Sequence, residues 1–334
     1  MFCCWIFVAL SVLLYYILRY LWELFTVGEF SKRAVFITGC DSGFGKQLAL
    51  RCARNGIPVF AGCLTQQGAD SLKKEAEGVK GKLEPVRVDV TRDDSVIDAR
   101  NFVEKNLTDG IKLWAVVNNA GVFSCYGPDD WCKVEDYQSS MDVNFLGIVR
   151  VTQAFKPLLK KSKGRIISAS SIAGRISFIG AGPYTAAKYA VEAYMDTIRQ
   201  ELRIFGVDCS ILEPGVFKTN LIDKDAMKRR VEHVWSRMSD EQRQEYSEEY
   251  KEFFIWAWND AMHRMGSEQT EHVVDNYYHA ITARFPRCRY RCGWDSLLIY
   301  IPLTYLPTEV VDAVLRMLTR QKVFPDAAMD KKNA

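Results

Sequence analysis

The sequence predicts an α/β fold: a doubly wound parallel sheet with a helical insertion after its sixth strand and an apolar helix ahead of its first. Three observations predict it. Between Lys32 and about Glu213, short apolar runs alternate with helical stretches, as a parallel sheet with crossover helices requires. The first run ends in a glycine-rich turn, Thr38-Gly39-Cys40-Asp41-Ser42-Gly43-Phe44-Gly45, that opens directly onto a helix. The chain of 334 residues, 48% hydrophobic and 25% charged, is long enough to bury one large α/β core.

Residues 1–27 stand apart. Phe2 to Leu18 runs without a charge, close to the ~17–25 residues a membrane helix needs. Arg19 interrupts it, and Tyr20, Leu21, Trp22, Leu24 and Phe25 continue as an aromatic interface belt from which Arg19 can snorkel toward headgroups. The rival reading is a cleaved signal peptide. No basic segment precedes the run, and only Thr26-Val27-Gly28 resembles a cleavage site, so a retained anchor is expected.

One domain is expected over 32–334. Its strands are read at Arg33 to Ile37, Ile57 to Leu64, Leu83 to Val88, Leu113 to Asn118, Arg165 to Ser170 and Val207 to Leu212. The intervening helices are read at Lys46 to Asn55, Ala69 to Glu77, Asp94 to Leu107, Val134 to Lys161 and Tyr184 to Phe205. After Thr219 the pattern changes, and residues 220–270 read as a charged helical insertion that also carries Trp235, Tyr246, Tyr250, Phe253, Phe254, Trp256 and Trp258. Such a stripe is either ordinary packing against the sheet edge or a lid over an apolar cleft. Within 294–320, Leu297 to Leu306 is too short and too proline-broken to span a bilayer. It is either a membrane-surface segment or a buried edge.

Composition excludes several functions. A net charge of +3 with no basic stripe argues against nucleic acid. The ten cysteines contain no C-x-x-C pair with a matching second pair, so a metal site is unsupported. Cys288 and Cys292 are expected as free thiols rather than a disulfide or ligand pair.

The chemistry lies at the strand ends. A strand, glycine turn and helix start aim unpaired N–H groups at one point, where the helix dipole favours an anion such as a dinucleotide pyrophosphate. Gly39 suits the turn, Gly43 the approach of backbone to phosphate, and Gly45 the close packing of helix on strand. Alone, the spacing is equally that of a plain turn. Asn118-Asn119-Ala120-Gly121 ends the fourth strand, on the edge where open parallel sheets bind ligands. By itself it is a strand-ending turn, and Asp89, followed by Val90 after the third strand, is by itself a capping aspartate. Tyr184 and Lys188, four apart on one helix, leave the same face. A phenol titrating near ~10 is useless as a base at neutral pH, but an adjacent ammonium and a cationic nicotinamide both favour its phenolate. It then exchanges a proton with an alcohol or ketone. Ser171 can hold the same oxygen by hydrogen bond, and Asn144, an awkward helix former, can serve a proton relay through water.

Over Lys32 to Leu221 the chain resembles the short-chain dehydrogenase/reductase family, whose fold is Rossmann-type. The resemblance implies a nucleotide loop at Thr38, Gly39, Asp41, Ser42, Gly43, Phe44 and Gly45, an adenine contact at Asp89 and Val90, and a sheet-end motif at Asn118 to Gly121. It implies a catalytic tetrad of Asn144, Ser171, Tyr184 and Lys188, with Pro214, Gly215 and Thr219 beside the nicotinamide carboxamide. Tyr184 is then the acid/base, Lys188 lowers its pKa and binds the nicotinamide ribose, and Ser171 orients the substrate oxygen. Gly39 to Gly45, Cys63-Leu64-Thr65, Asp142 to Phe145 and Glu213 to Thr219 resemble the retinol dehydrogenase and hydroxysteroid dehydrogenase branch. That branch implies a lipophilic alcohol or ketone substrate and an endoplasmic reticulum anchor, and is compatible with a homodimer. At Cys63, where an acid would mark NAD and a base NADP, neither charge follows in sequence, and no basic residue precedes Gly43. The absent cation tips the expectation toward NAD over NADP. Arg19, Lys32 and Arg33 beyond the anchor, and the terminal Lys331-Lys332-Asn333-Ala334, favour a cytosolic catalytic domain, while Asn106-Leu107-Thr108 is the opposing, lumenal clue.

Overall fold

A computed structural model describes residues 2–108, 110–319 and 322–329; the terminal dilysine segment lies outside them. All six expected strands form: β1 Arg33–Thr38, β2 Val59–Cys63, β3 Leu83–Arg87, β4 Lys112–Asn118, β5 Arg165–Ala169 and β6 Asp208–Pro214. A seventh, β7 Arg289–Cys292, extends the sheet, whose order is β3-β2-β1-β4-β5-β6-β7, parallel throughout. The order reverses between β1 and β4, which opens a crevice at their carboxyl ends.

Helices cover both faces: α1 Phe2–Glu23 precedes the sheet, and α2 Gly43–Arg54, α3 Gln66–Glu75, α4 Asp93–Asn106, α5 Val134–Met141, α6 Gly147–Ser162 and α7 Gly182–Arg203 connect its strands. Strand alternation explains the two-sided core. In β1, Val35 and Ile37 enter one apolar cluster with α2 and α3, whereas Ala34 and Phe36 enter the other with α4, α6 and α7. Phe36 stacks on Phe155 there at 4.4 Å between ring centroids.

The helix expected over 134–161 is interrupted. A π-helical turn, Asp142–Leu146, separates α5 from α6, because Asn144 spends its side chain on the loop after β4.

Beyond β6, the insertion folds into α8 Lys224–Ser236, α9 Asp240–Tyr246 and α10 Glu248–Met265. Its rings do not pack on the sheet edge. Trp235, Tyr250 and Phe254 join Phe123, Tyr126 and Trp131 in a separate aromatic cluster, and Trp258 packs against it. Next comes α11 Glu271–Thr282, whose buried Val273, Val274, Tyr277, Ala280 and Ile281 repeat at helical spacing. The chain ends in a π-turn at Ser296–Tyr300, then α12 Ile301–Leu303, α13 Thr308–Thr319 and α14 Asp326–Met329. In this apolar stretch Tyr300, Ile301 and Leu303 are buried, while Leu297, Leu298 and Leu306 are exposed.

The expectation of six strands is corrected by β7, which alternation of charge conceals. Tyr290 and Cys292 enter the core, and Arg289 turns to three acids. It donates to Glu213 at 2.6 Å, to Asp196 at 2.5 Å and to Glu192. Arg175 also donates to Glu213, at 2.9 Å. Glu213 is fully buried, so these cations are what make its charge tolerable. Arg289→Leu is therefore expected to cost roughly 3–5 kcal/mol, read as a lowered denaturation midpoint, because it strands buried carboxylates. A midpoint equal to the parent's would show that Arg175 suffices.

The first helix is tied down at its carboxyl end. Arg287 grips the Glu23 carboxylate, with Nε at 2.6 Å, and Val27 N donates to Thr282 O at 2.8 Å. Arg19 pairs with Glu23 at 3.0 Å, one turn along the same helix.

Candidate active site

The carboxyl ends of β1, β4, β5 and β6 line one crevice, and the side chains there are held by a defined set of bonds. Thr38 locks the glycine turn to β4: its hydroxyl accepts from Asn119 N at 3.0 Å and Ala120 N at 3.1 Å. Asn119 Nδ2 returns bonds to the carbonyls of Thr38, at 3.0 Å, and Gly39, at 3.2 Å. Gly39 and Gly43 have φ of 71° and 60°, the left-handed region that favours glycine. A Cβ on Gly45 would collide with the Gly39 carbonyl and Asn119 Nδ2, whereas the space beside Gly43 is open. Ser42 is the residue preceding α2, and its side chain leaves the helix's first N–H groups uncapped.

Asp41 corrects the reading that no charge stands at the end of β2. Its carboxylate folds across to accept from Leu64 N and Thr65 N, both at 2.8 Å, and from the Thr65 hydroxyl at 2.6 Å. Burial pushes this carboxyl up, but the bonds from Thr65 and Leu64 outweigh it and hold it below the usual range. An anion thus stands beside Cys63, supplied by the glycine turn rather than by the strand.

A cavity of about 290 Å³ opens from this turn. Phe44, Asn119, Gly121, Asn144, Ser171, Tyr184, Lys188, Pro214, Gly215 and Thr219 all line it. Ser171, just beyond β5, accepts from Ala173 N at 3.1 Å and lines the same cavity as Tyr184. The Lys188 ammonium donates to Ala169 O at 3.0 Å and lies 5.4 Å from the Tyr184 ring centre. Asn144 is fully buried; its Oδ1 accepts from Val122 N at 3.0 Å and its Nδ2 donates to Val122 O at 2.9 Å. A Cβ on Gly121 would stand 3.0 Å from Asn144 Oδ1 and 3.8 Å from Lys188 Nζ, so this glycine keeps the gap between them open.

Burial dominates the titration of the pair. It holds the Tyr184 phenol up at about 12, against the Ser171 hydroxyl, and pulls the Lys188 ammonium down to about 8, against the charge of Glu192. At the phenol, burial outweighs the Ser171 hydroxyl.

Other expected positions lie away from the cavity. Asn118 is buried and donates to Thr152 and Ser168, each at 3.1 Å, a tie between sheet and helix. Ala120 sits in the turn that Thr38 holds. Asp89 accepts from Thr91 N at 2.9 Å and caps its own turn, while Val90 packs on Gly147. Sequence reasoning missed Phe123, Met262 and Asp295, while Trp258 belongs to the aromatic stripe read as packing or a lid. Phe123 stacks on Tyr184 at 4.7 Å; Trp258 and Met262 of α10 line the far wall; Asp295 accepts from Val216 N at 2.7 Å and fixes the segment from Pro214 to Thr219.

A doubly wound sheet with a glycine turn at its switch point, facing a partly buried phenol and a buried ammonium, defines a nicotinamide-dependent oxidoreductase. The chain belongs to the short-chain dehydrogenase/reductase family, in its retinol and hydroxysteroid dehydrogenase branch: the short chain dehydrogenase family profile matches residues 33–230. It is an NAD(P)-dependent dehydrogenase acting on CH–OH donors. It is 47% identical to a protein named 3beta-hydroxysteroid dehydrogenase dhs-16 of Caenorhabditis elegans, over 89% of this chain and 77% of that one. It is 40% identical to 17-beta-hydroxysteroid dehydrogenase type 6 of Rattus norvegicus, over 95% and 98%, and 39% identical to retinol dehydrogenase 16 of Mus musculus, over 93% and 96%. A short-chain dehydrogenase/reductase from Burkholderia phymatum, solved in complex with NAD, shares the fold with a TM-score of 0.67 at 23% identity, over 86% of this chain and 97% of that one.

Proposed function

We propose that this protein is a membrane-anchored dehydrogenase that interconverts the hydroxyl and carbonyl forms of a steroid or retinoid, with NAD(H) as the preferred cofactor. The observation that carries this reading is the meeting of Asn144, Ser171, Tyr184 and Lys188 on the wall of one cavity whose remaining walls are mostly aromatic and aliphatic. Relatives named for hydroxysteroids and retinol support the substrate class.

The residues fit a dinucleotide: Gly39 and Gly43 present bare backbone, and Gly45 leaves no room for a side chain between helix and strand. The cofactor supplies the hydride acceptor or donor. Ser171 and Tyr184 together hold the substrate oxygen, and Tyr184 gives it or takes from it a proton. Lys188, fixed by Ala169 O, sets a positive charge beneath the phenol and holds a ribose hydroxyl. Asn144 keeps the main chain at Val122 in place, so that the wall opposite Lys188 does not drift. Phe123 and α10 exclude water from the apolar part of the substrate.

Asp41 supports the cofactor preference, because a carboxylate at the end of β2 accepts from a ribose 2′-hydroxyl and repels a 2′-phosphate. Asp41→Ser should narrow the ratio of NADH to NADPH affinity by at least about tenfold, measured by fluorescence titration of each cofactor. An unchanged ratio would remove Asp41 from this role.

The anchor reading is supported by α1, of which residues Trp5–Glu23 are long and apolar enough to cross a membrane and are not buried against the body. Cleavage near Thr26 would discard Glu23, which pairs with Arg287, so retention is favoured. The endoplasmic reticulum membrane with a cytosolic body is the proposed location. The deciding experiment is an absorbance screen at the nicotinamide band, with NAD and NADP against sterols, retinoids and aliphatic alcohols. Turnover confined to short aliphatic alcohols would refute the substrate class.

A further inference from the structure

The loop that follows β4 carries a second piece of chemistry that the dehydrogenase reaction does not use. Between Phe123, stacked on Tyr184, and Tyr126, another lining residue, lies Cys125, only 1% exposed. Seven residues on, ahead of α5, lies the partly exposed Cys132. Their sulfurs are 3.7 Å apart, in contact, and both are free thiols. We propose that Cys125 and Cys132 are a redox-active pair, oxidised to an intramolecular disulfide by thiol–disulfide exchange with a small-molecule disulfide.

Three features support it. A disulfide needs sulfurs about 2.05 Å apart, so the pair must close by less than about 2 Å. Cys125 stands in a stretch without helix or strand, where the backbone can follow that movement. The two thiols also differ in the way an exchange pair requires. Cys132 is the more accessible, and its thiolate is favoured by the Cys125 thiol beside it and by the Arg237 guanidinium, against burial and the charges of Asp136 and Asp129, while its own thiol faces the Gly127 carbonyl at 3.7 Å. Cys125 is held protonated by Cys132, burial and Asp136, with the Ser124 hydroxyl opposing. Just past α8, Arg237 also grips Asp136 at 2.5 Å, which screens that carboxylate from the sulfurs, and Arg230 of α8 lies within electrostatic reach of Cys125.

The exchange balances. The Cys132 thiolate attacks one sulfur of the small disulfide and releases one thiolate. Cys125 then loses its proton and attacks Cys132 Sγ, which releases the second. Two protein thiols are oxidised, and one external disulfide is reduced to two thiols. The product closes a short ring from Cys125 to Cys132 that contains Tyr126 and Trp131, and so pins the cavity wall next to Phe123.

The test uses the full chain in detergent, reduced and then treated with oxidised glutathione. Expected is a loss of about 2 Da, the mass of two hydrogens, located by peptide mapping to a cross-link between residues 125 and 132. Denaturation is expected a few degrees higher in the oxidised form, as a short closed loop predicts. Cys125→Ser should leave Cys132 trapped as a stable glutathione adduct, while Cys132→Ser should leave Cys125 unmodified. Both variants are near-isosteric, and mass readouts do not depend on turnover, so the proposal stands or falls separately from the dehydrogenase assignment. Three results would overturn it: an adduct on Cys132 that persists in the unsubstituted protein, thiols that remain fully alkylatable, or one tightly held zinc on Cys125, Cys132 and Asp136 that blocks exchange.

Discussion

Tyr184→Phe is expected to lower kcat by roughly 10²–10⁴-fold, the range in which a positioned acid/base contributes. The substitution removes one oxygen and keeps the ring, so the stack on Phe123 at 4.7 Å is preserved and the fold should be unaffected. NADH affinity should change by less than about threefold, because the glycine turn and Lys188 are untouched. Single-turnover absorbance with the best alcohol from the screen separates the two effects. Full activity in the variant would transfer the proton step to some other group, and the neighbouring Ser171 hydroxyl would be the first to test.

The second large effect is expected at Gly45. A Cβ there meets the Gly39 carbonyl and Asn119 Nδ2, and neither can step aside, since Asn119 is bonded to both Thr38 O and Gly39 O. Overpacking of this kind costs about 1–3 kcal/mol. Gly45→Ala should therefore lift the start of α2 off the sheet and weaken cofactor binding by roughly 5- to 150-fold, measured by quenching titration. Gly28→Ala is the control, because nothing lies within 4 Å of the added carbon. Equal binding in the two variants would mean that the turn is not the cofactor's seat.

These expectations trace back unevenly to the sequence. The buried strands were legible because β1, β2 and β4 carry continuous apolar runs, the signature of a sheet covered on both faces, and β5 and β6 carry shorter ones at Ile166-Ile167 and Ile211-Leu212. Among the lining residues, Asn119, Gly121, Ser171 and Pro214 were legible because they sit at or just past strand ends, and Tyr184 and Lys188 because they stand four apart on one helix. The rest depends on contacts between distant segments. Asp41 reads as part of a turn until β2 brings Leu64 and Thr65 to it, and β7 reads as a basic stretch until Glu213 and Glu192 are placed beneath it. The aromatic insertion left two options open, because its partners Phe123, Tyr126 and Trp131 lie in a loop whose path has no local code. By contrast, α11 carried a plain helical period in Val273, Val274, Tyr277 and Ile281 that could have been found.

The arginines of β7 have one more effect. This strand is the open border of the sheet, hydrogen-bonded to β6 on one side only. An unpaired border invites a strand from another molecule, and long side chains with like charges are a common defence. Arg289 and Arg291 place two long cations along four residues, but both are turned to acids of the same chain, Arg289 to Glu192, Asp196 and Glu213 and Arg291 to Glu213 at 3.9 Å, so little of their charge is left over at the border. A strand added at this border would thus meet paired rather than free cations.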